Sequence, residues 1–404
     1  MYFFTQRLTG SPTSVYGPAA AYWLLNPANF SVPIPSNLLD GYAQMGRSRF
    51  TMKSYAAFSE TNYKMTTRMG ATLGLRYTYE DKGGQYETQV SGGADLTGLP
   101  AATVAELNRA KLSIFRPQSY APVDRGGNVS GRANLAWQFS AGWFGYLGFA
   151  HGFKSGGLNM SGLALDSRNQ PALATAKIRD ENNNTVEAGL KSTLFAGRAT
   201  LNLAAYRTIV AGYQANIVSS AETAALRSYP ANVPEVRVEG AELDFTALVF
   251  TGLTLRASAA YALGEYSDYP AGPCPLERQT AATVACDLSG KALAGLSRWV
   301  GSVSADYQHL LASGQLVLHV DANTRSGYNS DTSNSTYTAI GGYTVANASI
   351  GYQFSIRWQA ELFARNVFDR DFLTALTIQT GNSGLILGQP SDPRMLGMRV
   401  RVQL

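Results

Sequence analysis

The sequence predicts an all-β fold, a transmembrane antiparallel β-barrel wall of about 14 strands with long outer loops and short turns. Three observations carry it. Apolar residues recur at every second position over segments of roughly 9 to 15 residues, against a mode of about 5–6 in globular strands. The connections alternate between a few residues and several tens, where a soluble domain rarely keeps so many long loops. Charged residues are only 15% of 404, while glycine reaches 40, tyrosine 22 and phenylalanine 17. A coiled coil needs abundant Glu and Lys, and a disordered tail lacks aromatics, so both are excluded.

No run of 18 apolar residues exists; the nearest, Phe245–Gly264, is broken by Thr251, Gly252 and Arg256. A closed barrel needs no such run, because one face of each strand is polar. The mean hydropathy of −0.10 fits that mixture. The amino terminus, Met-Tyr-Phe-Phe-Thr-Gln-Arg, lacks the basic-then-apolar pattern of a secretory signal. The net charge of +5 is mild and no basic cluster is present, so nucleic acid is not an expected partner.

The strands follow in order. Tyr2–Leu8 and Tyr55–Tyr63 read as the first two. Met69, Ala71, Leu73, Leu75 and Tyr77 then alternate with Arg68, Thr72, Arg76 and Thr78. Val129, Ala133, Leu135 and Trp137 alternate with Ser130, Arg132, Asn134 and Gln138. Phe144–Phe153, Val186–Leu194, Leu201–Val210, Val236–Ala247 and Leu253–Leu263 follow, with a parity slip near Gly240 that suggests a bulge. Trp299–Tyr307, Leu316–Ala322, Ala346–Phe354 and Trp358–Ala364 keep the rhythm. The last strand has Leu396, Met398, Val400, Val402 and Leu404 on one face and Arg399 and Arg401 on the other.

Short links fall at Tyr63–Thr67, Phe139–Gly142, Phe195–Arg198, Phe250–Gly252, His309–Ser313 and Ser355–Ile356. Long ones fall at Thr9–Lys53, Asp81–Gly127, Ser155–Asn184, Asn216–Pro234, Tyr266–Arg298, Gly327–Gly342 and Asp369–Met395. If the last strand runs toward the periplasm, every long loop lies outside the cell, as in outer-membrane barrels.

Four segments carry a family resemblance. They are Phe153-Lys154-Ser155-Gly156-Gly157-Leu158-Asn159, Thr185-Val186-Glu187-Ala188-Gly189-Leu190-Lys191, Asp287-Leu288-Ser289-Gly290-Lys291 and Asn366-Val367-Phe368-Asp369-Arg370. In this order, with the alternating carboxyl terminus, the chain resembles the barrel of a TonB-dependent outer-membrane receptor over essentially residues 1–404. The resemblance implies a Gram-negative outer-membrane protein whose 22-stranded barrel encloses a plug. It implies uptake of a scarce solute, most often a ferric siderophore, with energy delivered by the TonB complex. Outer-membrane lipid, lipopolysaccharide and the barrel-assembly machinery are the further partners implied. Against the family pattern the chain lacks the plug and about the first eight strands, Leu404 replaces a terminal aromatic, and His151 stands where an arginine is expected. A passive porin-like channel of about 14 strands and a surface adhesion or phage-receptor barrel are the alternatives.

Catalysis finds little support, and neither a cofactor nor a metal site is expected. The histidines are His151, His309 and His319, and none has metal-ligand spacing. His319 has lumen parity, while His309 falls in a short turn. The Gly148–Ser155 stretch has Phe153 where a phosphate loop needs glycine before its lysine. Arg68, Arg76, Arg132, Glu187, Lys191, Arg256, Asp306, Asp321, Arg357, Glu361, Arg365, Arg399 and Arg401 carry lumen parity and either form cross-strand ladders or line a path. Tyr77, Tyr79, Trp137, Tyr261, Trp299, Tyr307, Tyr352 and Trp358 read as aromatic girdles.

The outer-loop tyrosines Tyr213, Tyr229, Tyr266, Tyr269, Tyr328 and Tyr337 suit either ligand recognition or loop packing. His151 and Lys154 join Tyr213, Tyr229, Tyr328 and Tyr337 as candidates to face substrate. Cys274 and Cys286, the two cysteines, share one predicted outer loop, and the oxidising cell surface favours a disulfide between them. A metal pair lacks a nearby histidine, and the spacing is not Cys-x-x-Cys.

Overall fold

The computed structural model describes residues 2–10, 13–164, 166, 170–218, 228–279, 285–378 and 385–403. Fourteen antiparallel strands follow one another through a single sheet in chain order. They are β1 (Tyr2–Gly10), β2 (Ala43–Lys64), β3 (Met69–Ser91), β4 (Val123–Ser140), β5 (Trp143–Lys154), β6 (Glu181–Leu194) and β7 (Ala199–Val218). They continue as β8 (Ser228–Phe250), β9 (Leu253–Asp268), β10 (Trp299–Leu311), β11 (Gly314–Arg325), β12 (Tyr343–Gln353), β13 (Trp358–Arg365) and β14 (Met395–Val402). Among the described residues β1 and β14 do not pair with each other, so the sheet is an open arc of wall.

Register sorts the side chains into two faces, because a one-residue slip would exchange them. One apolar row runs Tyr307, Leu318, Ile350, Leu362 and Met398 across five strands. The same face holds Leu73 at 64% exposure, Val303 at 58% and Leu396 at 76%. An apolar band this bare across the wall suits hydrocarbon rather than water. Of the expected girdle residues, Tyr77, Tyr79, Trp137, Trp299 and Trp358 are exposed on that face. No helix among the described residues is long and apolar enough to cross a membrane.

Several expectations change. The strands β2, β3 and β8 reach 22, 23 and 23 residues, so the expected loops Thr9–Lys53, Asp81–Gly127 and Asn216–Pro234 are largely strand at their ends. Beyond the bilayer both faces are polar or loop-covered, and apolar alternation no longer reports the strand. Arg68 and Arg357 lie in turns rather than on the lumen face, and His309 lies in β10 opposite Leu316.

No bulge occurs at Gly240, which pairs regularly with Tyr206 and Ala262. The irregularities lie between Glu235 and Val236 and between Leu248 and Phe250. The parity slip has another cause. Val236, 1% exposed, points to the inner face and is buried with Val233, Tyr266, Tyr269 and Leu288 under an inward-folded loop.

The packed cores therefore sit in the loops. Helix α1 (Ala20–Leu24) and helix α2 (Ala101–Ile114) build the largest, a helical element the strand reading missed. Leu107, Ala110 and Ile114 share one stripe of α2 and close on Leu25, Leu38, Leu39 and Tyr42. Lys111, near the carboxyl end of α2, donates to the Ala94 carbonyl at 2.8 Å and holds the approaching chain there.

Candidate functional site

The four motif segments turn out to be joints between wall and loops. In β5 and β6, Tyr146 donates its hydroxyl to Glu187 at 2.5 Å, and Lys191 stands 5.9 Å from the same ring. Gly189 lies opposite Tyr146, and a Cβ there would come within 2.2 Å of the ring. The spacing Glu-x-Gly-x-Lys is thus a seat for one inward tyrosine, with every second residue on the inner face.

The segment from Phe153 leads β5 into the next loop. Phe153 itself lies opposite Asn182 in β6. Lys154 is exposed, its Nζ 3.8 Å from Glu181. The Ser155 hydroxyl contacts both Lys82 and Glu80, which pair at 2.8 Å. Lys82 is almost fully buried and also donates to the Gly156 carbonyl at 2.7 Å. A buried charge is tolerable when paired and hydrogen-bonded in this way. Gly156 is closed in by the Ile178 carbonyl, 2.2 Å from where a Cβ would sit, so only glycine fits. Gly157 then pairs with Ile178, and Leu158 with Lys177.

Asn366 and Asp369 adopt left-handed φ values of 48° and 51°, a conformation Asn and Asp tolerate. The Asn366 side chain accepts from Arg370 N at 2.8 Å and donates to the Asp392 carbonyl at 3.1 Å, tying both ends of the last loop. Asp369 accepts from Arg394 N at 2.8 Å, while Phe368 is 79% exposed. At the fourth segment, Ser289 accepts from Tyr269 N at 2.9 Å and Leu288 enters the loop core.

From Asn366 a polar chain descends the inner wall. Its amide donates to Asn347, which with Asn323 donates to Asp321. His319 lies between Asp306 at 2.7 Å and Asp321 at 3.2 Å, and Arg256 contacts Asp306. On either side, Arg132 pairs with Glu60 at 2.6 Å and Arg399 with Glu361 at 3.1 Å. These are cross-strand ladders, each exposed pair worth about 0–1 kcal/mol.

At the outer end, Cys274 and Cys286 form a disulfide. Glu277, inside that ring, accepts from Ser335 Oγ at 2.6 Å and Thr336 N at 2.9 Å in the following loop. The Ser335 hydroxyl and then the Thr336 amide hold its carboxyl well below the usual range, at about 2. Tyr328 donates to the Thr374 carbonyl at 2.7 Å, with the Arg325 guanidinium 4.0 Å above its ring. Three outer loops are thereby braced together. No sequence signal pointed to Glu277, because its partner lies 58 residues away.

The substrate-facing candidates do not converge. His151 lies in β5 on the outward face and meets Asn184 at 2.8 Å. Tyr213 is half-buried in β7, its ring 6.4 Å from Tyr266. Tyr229 pairs through its backbone with Ile217 in the wall. Tyr337 is exposed and Tyr328 is engaged as described. Tyr266 and Tyr269 are each 1% exposed and serve packing. Val400 and Val402 face outward in β14, and Leu404 lies outside the described residues. No group of three or more metal-ligating side chains occurs among the described residues.

The family model for a TonB dependent receptor-like β-barrel matches residues 2–367. No curated protein matches. The ferric yersiniabactin uptake receptor FyuA of Yersinia pestis superposes with TM-score 0.68 at 17% identity, over 89% of this chain and 47% of that one. The closed form of the ferric-catecholate import receptor Fiu of E. coli K12 gives 0.60 at 16%, over 99% and 50%. The copper transporter OprC gives 0.59 at 13%, over 90% and 53%. The chain thus spans about half the length of the solved structures it matches.

Proposed function

The chain belongs to the TonB-dependent receptor-like β-barrel family of the outer membrane, and from that premise we propose that it forms the carboxyl-terminal wall of a receptor taking up a ferric siderophore. The observation that supports this reading is the braced outer loops standing on a polar inner wall. The loops present exposed Tyr337 and the Arg325–Tyr328 pair beside small polar residues, a surface suited to an amphipathic complex. FyuA and Fiu handle ferric complexes and OprC is named for copper. A metal complex is accordingly the class of cargo proposed.

On this reading residues 1–404 are one wall domain of a 22-stranded barrel, and its open edges accept further strands because hydrocarbon satisfies no free backbone group. The polar inner face receives a plug, through which the TonB complex supplies energy. The outward alternation of Leu396, Met398, Val400 and Val402 is what the barrel-assembly machinery receives. The protein acts as a transporter and not as an enzyme.

The test is ligand binding by the folded chain in detergent, read by tryptophan fluorescence against a panel of ferric siderophores, their iron-free forms and copper complexes. Saturable quenching by a ferric complex, weakened by Tyr328→Ala and Tyr337→Ala together, is expected. Steady ionic conductance in planar bilayers with no ligand response would instead favour a passive channel and overturn the reading.

A further inference from the structure

We propose that the short periplasmic turns are a docking surface for an extended carboxylate polymer, the peptidoglycan beneath the outer membrane. The inference rests on the outer-membrane placement and goes beyond the cargo. Three of the six short turns have four residues, and these share one pattern. They are Met65-Thr66-Thr67-Arg68, Phe195-Ala196-Gly197-Arg198 and Phe354-Ser355-Ile356-Arg357. Each opens on a large apolar residue and closes on arginine. The arginine always takes the same place in the wall. The carbonyls of Arg68, Arg198 and Arg357 accept from the amides of Gln138, Leu248 and Gln403, on the next strand along the sheet, at 2.8 to 2.9 Å. Two of the shorter turns put Gly142 and Gly252 at that place.

The three arginines are exposed and have no ion-pair partner among the described residues. Lys64 and Arg401, exposed on the inner face beside them, are likewise unpaired there. No Asp or Glu stands in any of the six turns. Carboxylates farther up the same strands are already engaged: Glu60 pairs with Arg132 at 2.6 Å and Glu361 with Arg399 at 3.1 Å. The Arg198 guanidinium also donates to the Leu248 carbonyl at 3.3 Å, which holds it at the rim without neutralising it. At the other end of the wall the signs are mixed, with Arg109 on Glu106 and Lys177 near Asp124. Charge of a single sign is thus confined to the periplasmic rim, and it selects an anion.

Direction and spacing choose among anions. Met69, Ala199 and Trp358 open the following strands on the lipid face, so by period two the arginine before each is turned from the bilayer. Bilayer contact falls to the apolar residue of the turn: Phe354 packs on Tyr352 with ring centroids 4.8 Å apart, and Phe195 is 76% exposed. Lipid headgroups are therefore not what the arginines face. Along the sheet, β7 is four strands from β3, and β13 six from β7. At about 4.8 Å per strand the arginines stand on the order of 19 and 29 Å apart along the wall. One small carboxylate reaches only one of them. A polymer with carboxylates at intervals, lying parallel to the membrane, meets all three, and its weak contacts act together. Peptidoglycan has that form: an extended sheet whose peptide stems carry free carboxylates, in the compartment these turns face.

The experiment co-sediments the full chain, folded in detergent micelles, with protein-free peptidoglycan sacculi, either native or with their carboxylates amidated. Folding is checked by heat-modifiable gel mobility. Arg68→Gln/Arg198→Gln/Arg357→Gln is compared with Arg47→Gln/Arg49→Gln/Lys53→Gln, which removes the same charge from exposed positions at the outer end of β2. The turn variant should lose about tenfold in apparent affinity for native sacculi, the control less than about twofold, and binding should weaken with salt. Equal losses in the two variants, or equal binding of amidated sacculi, overturn the proposal. So does failure of the folded wild-type chain to sediment. Complete displacement by phosphatidylglycerol vesicles overturns the cell-wall assignment in favour of lipid phosphate, and by millimolar free glutamate in favour of a small anion. If the triple variant does not fold, Arg68→Gln/Arg357→Gln is read, with a loss of about fivefold expected and none overturning. A wild-type chain without a heat-modifiable form would instead count against the barrel reading itself.

Discussion

Tyr146 rests its ring on Gly189 and donates its hydroxyl to Glu187, so two inward residues of β6 hold one side chain of β5. The contact leaves no room for a larger residue. Gly189→Ala should cost about 1–3 kcal/mol through overpacking, and Tyr146→Ala in the same chain should recover part of it. Urea unfolding of the four chains of this cycle in lipid vesicles measures the coupling; additive losses would show that the ring does not sit there.

The two faces of β11 differ in what they tolerate. Leu318 lies outward between Tyr307 and Ile350, while Asn323 points inward and donates to Asp321 at 2.7 Å. Leu318→Arg should lose about 2–4 kcal/mol near the bilayer midplane. Asn323→Arg places its cation beside Asp321 and should fold in nearly wild-type yield. Folding yields in bilayers decide it, and equal yields would reverse the assignment of faces.

The Glu277 clamp has a pH signature. Its carboxyl is depressed to about 2 by the Ser335 hydroxyl and Thr336 amide. A carboxyl whose folded value lies below its unfolded one stabilises fully above about 4.5, and that contribution fades as pH falls toward about 2. Solvent exposure keeps the effect small and local. Hydrogen exchange at the Thr336 amide should therefore quicken, relative to its intrinsic rate, as pH falls through that window. Glu277→Gln should remove the pH dependence; an unchanged wild-type profile would refute the clamp.

Strand order and facing were legible because the bilayer imposes period two on about ten residues of every strand. The rows through Leu318 and Leu362 follow from that alone. Above the membrane the constraint changes. Tyr86 and Thr88 are buried beneath loops while Gln85 and Glu87 are exposed, so β3 continues without an apolar stripe. Val236 is apolar and inward, which in sequence imitates a bulge. Helix α2 was hidden for a related reason: its stripe of Leu107, Ala110 and Ile114 is brief and closes on residues some seventy positions earlier. The loop partnerships of Glu277 and Tyr328 depend on such distant pairings, and no local pattern announces them.

Cys274 and Cys286 are joined across the outer loop that follows β9. The disulfide closes the ring that carries Glu277, and Gly272 and Pro273 pair with Cys286 and Ala285 beside it. Cross-linking a loop of this size stabilises by about 3 kcal/mol in the chain-entropy account. That stabilisation is local, because the wall is held by its strand ladders. Alkylation of the native, unreduced protein should label neither cysteine. Cys274→Ser/Cys286→Ser should leave the barrel folded and heat-modifiable, while proteolysis within 266–298 quickens. Hydrogen exchange at Thr336 should also quicken, since Glu277 then reaches the next loop from an unclosed segment. Two free thiols in material folded under oxidising conditions would refute the bridge. Unchanged exchange at Thr336 in the double variant would show that the ring does not position the clamp.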